Sequence, residues 1–173
     1  MNRWRGIRHL KMEEEAMKPN IGIGDDHRHS VIEILNTLLA DEYLLYTKTR
    51  NYHWNVVGPQ FNDLHKFFEA QYEALDDVVD DVAERARSLD GHALGTLSEF
   101  GKRARLKERP GESPDAKGML ADLLGDHEAL IRQLRADLAT TMDKDSDAGT
   151  SDFLTGLMEK HEKMAWMLRA FAG

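Results

Sequence analysis

The chain has 173 residues, 41 % of them hydrophobic and 31 % charged, which is the size and composition of one globular domain. It contains no cysteine. This excludes a disulfide framework, a thiolate zinc site and a cysteine nucleophile, so any chemistry must use His, Asp, Glu or a bound metal. No apolar stretch approaches the ~20 residues that cross a bilayer, and the N-terminus lacks the apolar run of a secretory signal. We therefore expect a cytoplasmic protein.

The net charge of −8 comes from 31 Asp and Glu against 23 Lys and Arg, and it is unevenly distributed. Residues 1–29 are slightly basic and carry few apolar side chains, whereas the rest of the chain holds the acidic excess. This pattern predicts a flexible N-terminal arm over residues 1–29, followed by one folded domain over residues 30–173. An acidic domain repels nucleic acid and attracts cations.

Two long amphipathic helices are predicted in the first half of the domain. Ser30 and Glu33 have the spacing of a capping box, and the apolar residues that follow recur at helical spacing, which predicts a first helix from about Ser30 to Trp54. Gly58-Pro59 then marks a tight break. Apolar residues recur every three or four positions from Phe61 to Leu89, which predicts a second long helix.

The second half of the domain predicts two further helices behind a long connection. Residues 90–113 are rich in Gly and Pro, with a short helix predicted from Thr96 to Phe100. At roughly 3.3 Å per residue this segment can traverse the ~40 Å length of the second helix, as the long crossover of ferritin-like bundles does. Ser113 is predicted to cap the third helix, and the fourth runs from about Thr150 to Ala172. The sequence therefore predicts an all-α four-helix bundle.

The second helix carries a polar band that a purely structural helix does not need. Its members are His65, Glu69, Asp80 and Glu84, two pairs with i, i+4 spacing that lets two side chains converge on one cation. Imidazole and carboxylate suit iron, manganese or zinc. Glu69 and Asp80 are nevertheless roughly 16 Å apart along the axis, so the two pairs cannot share a metal ion within one chain.

A second copy of the chain brings the two pairs together. If two copies of the second helix pack antiparallel about a two-fold axis, the numbering places His65 opposite Glu84 and Glu69 opposite Asp80 of the other copy. His53, across the Gly58-Pro59 break, is close enough to add a further nitrogen. The alternative is a band of solvated acids with no bound metal.

The residues of this band lie within a motif that resembles the Dps family of mini-ferritins. The resemblance rests on the stretch His53-Trp54-Asn55-Val56-Val57-Gly58-Pro59-Gln60-Phe61-Asn62-Asp63-Leu64-His65, followed by Asp80 and Ala83-Glu84-Arg85. It implies a hollow homododecamer of four-helix subunits. It also implies that ferrous iron binds between two-fold-related subunits, is oxidised there, preferably by hydrogen peroxide, and is stored as a ferric mineral, which protects DNA from oxidative damage.

The resemblance also assigns individual residues. It places iron ligands at His53, His65 and Glu69 of one subunit and at Asp80 and Glu84 of its partner. Glu69 stands where the family often has Asp. Trp54 resembles a family tryptophan that supplies an electron beside the site. The alternative for Trp54 is an aromatic side chain buried at the dimer contact.

Several other features leave alternatives open. No histidine has Glu three residues before it, so a di-iron site inside one bundle is not expected, and His127 and His161 on the apolar stripes are expected to be hydrogen-bonded core residues. Acids such as Asp122, Asp126 and Asp137 are candidates for lining an iron pore. An interaction module that binds neither iron nor DNA is a further alternative.

The alternative function from a different class is DNA binding and compaction with little catalysis. Arg3, Arg5, Arg8 and Lys11 form a cationic arm, which an oligomer would multiply through avidity, unless translation starts at Met12 or Met17. A second basic segment lies in the crossover, where the alternative is a merely solvated charge run; it comprises Lys102, Arg103, Arg105, Lys107 and Arg109.

Overall fold

A computed structural model describes residues 19–173 of the chain. This part forms five helices and no strand: α1 (Asp25–Asn55), α2 (Phe61–Ser88), the short α3 (Leu97–Arg103), α4 (Ala116–Asp143) and α5 (Ala148–Ala172). The four long helices pack as two antiparallel pairs, α1 with α2 and α4 with α5, and α3 packs on α1. The predicted ferritin-like four-helix bundle, with a short helix in its crossover, is confirmed. None of the helices in residues 19–173 is long and apolar enough to span a membrane.

The bundle is held together by one apolar core to which all four long helices contribute. Its fully buried side chains are mostly leucines at the predicted stripe positions, with Phe68 of α2 as the largest. Burying a Leu or Phe side chain contributes about 1.5–3 kcal/mol each, so these stripes dominate the stability of the subunit.

Two predicted helix starts are wrong. The first helix begins at Asp25, five residues before Ser30, with Gly24 in the N-cap position and two acidic residues in the first turn, where the helix dipole favours them. Residues 25–29 of the predicted arm are therefore helical. The third long helix is capped by Asp115 rather than Ser113, because the Asp115 carboxylate accepts a hydrogen bond from the Gly118 backbone N–H at 2.8 Å.

The crossover is fixed to the bundle by its own basic residues. Asp41 of α1 is fully buried and accepts hydrogen bonds from the backbone N–H groups of Arg105 (2.6 Å) and Leu106 (3.0 Å) and from the Arg105 guanidinium (2.7 Å). The same guanidinium also reaches Asp137 of α4 at 3.1 Å. Arg103 pairs with Glu33 of α1. These two cations of the basic segment are thus paired with acids of the same chain.

Candidate metal centre at the end of the first helix pair

Two histidines from neighbouring helices hold each other in a fixed arrangement. The turn at Gly58 reverses the chain, so that His53 in the last turn of α1 faces His65 in the second turn of α2. Their rings stack with centroids 3.8 Å apart and planes 20° from parallel. Each Nδ1 lies within hydrogen-bond distance of the other residue's backbone carbonyl, at 2.8 Å from His53 to His65 and 2.9 Å from His65 to His53.

These reciprocal bonds determine which nitrogen of each ring is available to a ligand. A carbonyl oxygen only accepts, so each Nδ1 must carry the hydrogen and donate it. In the neutral rings both Nε2 atoms then keep their lone pairs, which is the form of imidazole that binds metals. Each ring also packs against an aromatic side chain. The Tyr72 ring meets His53 edge-on and the Phe61 ring stacks on His65, both with ring centroids 5.2 Å apart. The pair is preorganised for a divalent cation.

The structure places the three predicted carboxylates along α2 but does not gather them in one chain. Glu69 is half-buried one turn beyond His65, whereas Asp80 and Glu84 are exposed. Within residues 19–173 of a single subunit, no three His, Asp or Glu side chains are grouped so that they could hold a metal ion. Both exposed carboxylates are accessible from outside the subunit.

Large apolar side chains are exposed beside the histidine pair. Trp54 is 65 % exposed, Val57 75 % and Phe61 46 %. The Arg50 guanidinium lies 5.5 Å from the Trp54 ring centre. Contiguous exposed apolar surface of this kind is typical of a protein–protein contact. The predicted aromatic contact of Trp54 with a partner subunit thus has the exposed ring that it requires.

The acids predicted as pore candidates are already paired inside the subunit. Lys48 binds Asp126 at 2.6 Å and lies 3.6 Å from Asp122. Asp122 also accepts from the Tyr52 hydroxyl at 2.6 Å and pairs with Arg109 of the crossover at 3.1 Å. Burial raises the pKa of Asp126, an effect that its hydrogen bond and ion pair with Lys48 oppose. These carboxylates, like Asp137 with Arg105, are largely neutralised locally and are poor candidates for attracting Fe²⁺.

The second histidine pair lies in the centre of the bundle. His127 of α4 and His161 of α5 share a hydrogen bond between their Nδ1 atoms at 2.9 Å, which confirms that they are hydrogen-bonded core residues. The His161 Nε2 lies 2.8 Å from the Glu42 carboxylate of α1, and all three side chains are fully buried. Burial, together with the neighbouring His161, lowers the pKa of His127 well below its ordinary value.

Glu42 is the buried group that sequence reasoning missed. Its only signal is that Asp41-Glu42 interrupts the apolar residues of the first helix, where charged side chains are almost never buried without a partner. The partner, His161, lies 119 positions away in the chain. Helical periodicity gives no information on contacts at that separation.

Comparison with known proteins places this geometry in a family. The family model for the ferritin-like domain matches residues 32–173. The chain is 53 % identical over 152 residues to an uncharacterised low-temperature-induced protein of Nostoc sp., covering 88 % of this chain and 85 % of the relative. It is 39 % identical over 142 residues to DNA protection during starvation protein 2 of Bacillus anthracis, covering 82 % of this chain and 95 % of the relative.

Solved structures agree with the sequence relatives. A Dps protein from Vibrio cholerae O1, described as a member of a broad superfamily of ferritin-like diiron-carboxylate proteins, superposes with a TM-score of 0.84 at 31 % identity. The match covers 90 % of this chain and 97 % of that one. The chain belongs to the Dps family of ferritin-like proteins.

Proposed function

We propose that this protein is a ferroxidase and iron store that takes Fe²⁺ as its substrate and oxidises it preferably with hydrogen peroxide. The observation that carries the proposal is the reciprocal anchoring of His53 and His65, which leaves the Nε2 lone pairs of two stacked rings available to a metal ion. The description of the Vibrio cholerae relative as ferritin-like and diiron-carboxylate supports iron as the metal.

The proposed iron site lies between two subunits. His53, His65 and Glu69 come from one copy, and Asp80 and Glu84 from the copy related by a two-fold axis. Two neutral imidazoles and three carboxylates suit ferrous iron and leave room for peroxide. The exposed Trp54, Val57 and Phe61 supply apolar surface for the contact that completes the site.

The chemistry balances when two ferrous ions react together. Two Fe²⁺ supply two electrons to one H₂O₂, and with two protons the products are two Fe³⁺ and two H₂O, so no hydroxyl radical is released. Carboxylates stabilise the higher charge of Fe³⁺ better than neutral ligands do. The Fe³⁺ then passes to a mineral inside the hollow homododecamer, and removal of iron and peroxide together protects DNA.

An anaerobic addition of Fe²⁺ followed by hydrogen peroxide tests the proposal. Ferric absorbance is followed in time, and the mass of the iron-containing particle is then measured by light scattering. We expect oxidation much faster than in buffer, with the iron retained in a particle near twelve subunits. Oxidation no faster than in buffer, with iron precipitating, contradicts the proposal.

A pair of matched variants locates the site. His65→Ala removes one free Nε2, and we expect it to abolish the fast phase. His92→Ala removes an exposed histidine whose side chain lies outside the candidate centre, and we expect it to behave like the unaltered protein. Equal rates in the two variants contradict the assignment of His65.

DNA binding is a second candidate function, favoured by the names of the relatives that are called DNA protection during starvation proteins. The basic crossover segment does not support it, because Arg103, Arg105 and Arg109 pair with acids of the same chain. The arm cations Arg3, Arg5, Arg8 and Lys11 lie outside the described residues. A gel shift at low salt that compares the full chain with one starting at Met17 tests the arm, and no shift for either removes this candidate.

A further inference from the structure

Three of the four tyrosines lie in one row that begins at the candidate iron site. The Tyr72 ring meets the His53 ring edge-on at 5.2 Å between centroids. Tyr46 lies 6.2 Å from Tyr72, and Tyr43 lies 5.9 Å from Tyr46. Tyr43 in turn stacks on Phe100 of α3 at 4.4 Å. This tyrosine row of Tyr72, Tyr46 and Tyr43 leads from the histidine pair towards the crossover.

A cation lies beside two of the three rings in the row. The Arg50 guanidinium lies 5.2 Å from the Tyr72 ring centre and 5.7 Å from that of Tyr46, and it donates a hydrogen bond to the Tyr46 hydroxyl. Among residues 19–173 no carboxylate forms an ion pair with this guanidinium. A cation over a ring face attracts the π electrons, so an electron is harder to remove from that ring. Tyr43 lies outside this contact, so Arg50 does not oppose removal of an electron from its ring.

The far end of the row is accessible to small molecules. Tyr43 and Tyr46 line a groove of about 590 Å³ together with Arg50, Trp54 and Pro110. In the single subunit the groove is open to solvent, and a small-molecule reductant can reach a radical on Tyr43 from there.

We propose that the tyrosine row is a relay that carries single oxidising equivalents from the iron site to this groove. The inference rests on the proposed function and concerns the case in which the site holds one ferrous ion. Peroxide then needs two electrons and the iron supplies one. Tyr72 supplies the other: Fe²⁺ + H₂O₂ + Tyr–OH + H⁺ gives Fe³⁺ + Tyr–O• + 2 H₂O. Tyr46 then restores Tyr72, and Tyr43 restores Tyr46, each by giving up one electron and one proton.

Spin trapping tests the relay, because it reports where the radical resides rather than how fast iron is oxidised. In a Trp54→Phe background, which removes a competing electron donor, the protein receives a single Fe²⁺ per site, then peroxide and a spin trap, and adducts are mapped by peptide mass spectrometry. We expect adducts on Tyr43 and Tyr46. Tyr72→Phe should lower them several-fold for each iron oxidised.

The fourth tyrosine supplies the matched control. The Tyr52 hydroxyl donates to Asp122 at 2.6 Å, and its ring lies beside Phe68 rather than in the row. We expect Tyr52→Phe to leave the adducts on Tyr43 unchanged. Equal adduct yields on Tyr43 in the Tyr72→Phe variant and the Tyr52→Phe variant overturn the relay.

An iron-free experiment separates failure of the relay from failure of the proposed function. Because the chain has no cysteine, Glu69→Cys can carry one photo-oxidant label beside Tyr72. Flash oxidation should then place adducts on Tyr43 in this variant, and addition of Tyr72→Phe should remove most of them. Adducts on Tyr43 that persist without Tyr72 overturn the relay even if iron oxidation proceeds as proposed. Loss of them supports the relay even if iron oxidation fails.

Discussion

The two histidine pairs of this subunit have the same residue types on neighbouring helices and opposite chemical properties. In the pair of His53 and His65, each Nδ1 is bound to a backbone carbonyl and both Nε2 atoms remain available beside exposed surface. In the pair of His127 and His161, the Nδ1 atoms bind each other and the outer nitrogen of His161 binds Glu42, all without solvent exposure. The partner of each Nδ1, together with burial, therefore determines whether a histidine pair offers two free nitrogens at an accessible surface.

The largest expected effect comes from the carboxylate that the exposed pair needs from another subunit. Asp80→Asn keeps the size of an exposed side chain and removes its charge, so we expect an unchanged fold and a loss of fast peroxide-driven oxidation. Stopped-flow ferric absorbance measures the rate. The matched control is Asp81→Asn, because Asp81 is a neighbouring exposed acid that, within residues 19–173, makes a single long ion pair, to Lys160 at 3.5 Å. Loss of activity in both variants would contradict a specific role for Asp80.

The second effect concerns stability and is expected only in the buried pair. His161→Leu leaves the fully buried Glu42 carboxyl without a partner, which should destabilise the subunit by about 3–5 kcal/mol. The double variant Glu42→Leu with His161→Leu removes both polar groups and should recover much of this loss. Thermal unfolding of the assembled protein measures the two effects. A single variant as stable as the parent would show that the contact between Glu42 and His161 contributes nothing to the fold.

The third effect is a pH dependence of stability that comes from the buried pair of His127 and His161. His127 is held neutral because burial lowers its pKa, whereas in the unfolded chain its imidazole has the ordinary pKa of about 6.5. Below pH 6.5 the unfolded chain therefore binds a proton that the folded chain does not, so stability falls as the pH falls, by up to about 1.4 kcal/mol per pH unit. His127→Leu should flatten this part of the curve. Parallel unfolding curves of the parent and the variant between pH 5 and 7 would contradict the assignment.

Helical periodicity is sufficient to predict the bundle, whereas the candidate ligands on α2, which spacing and the family resemblance suggest, remain a prediction. Local capping signals were less reliable. Ser30 and Glu33 match the capping pattern, yet the helix continues back to Asp25, where His27 reaches Asp145 at 3.3 Å and Arg28 is buried. A local capping signal cannot report the contact of His27 with Asp145, because the two residues are 118 positions apart in the chain.

The same limitation explains what sequence reasoning missed in the candidate site. Spacing predicts that His53 lies near His65. It cannot show that the backbone carbonyl of each residue accepts the Nδ1 hydrogen of the other. It also could not show that Arg105 and Lys48 neutralise acids that otherwise resemble a cation pathway. Each of these properties depends on the pairing of side chains between helices, which an amphipathic pattern leaves undetermined.

The smallest expected effect comes from the turn at Gly58, which brings His53 and His65 together. Gly58 has a φ of 118°, which side-chain-bearing residues rarely adopt, although a Cβ there would meet no atom within 4 Å. Gly58→Ala should therefore cost about 1 kcal/mol through backbone strain alone. It should also weaken Fe²⁺ binding, because relief of the strain moves α1 relative to α2 and separates the stacked rings. Calorimetric titration with Fe²⁺ under anaerobic conditions measures the affinity. Gly95→Ala is the control, since Gly95 has open space around it and an ordinary φ. An affinity equally reduced in both variants would show that the turn at Gly58 does not position the histidines.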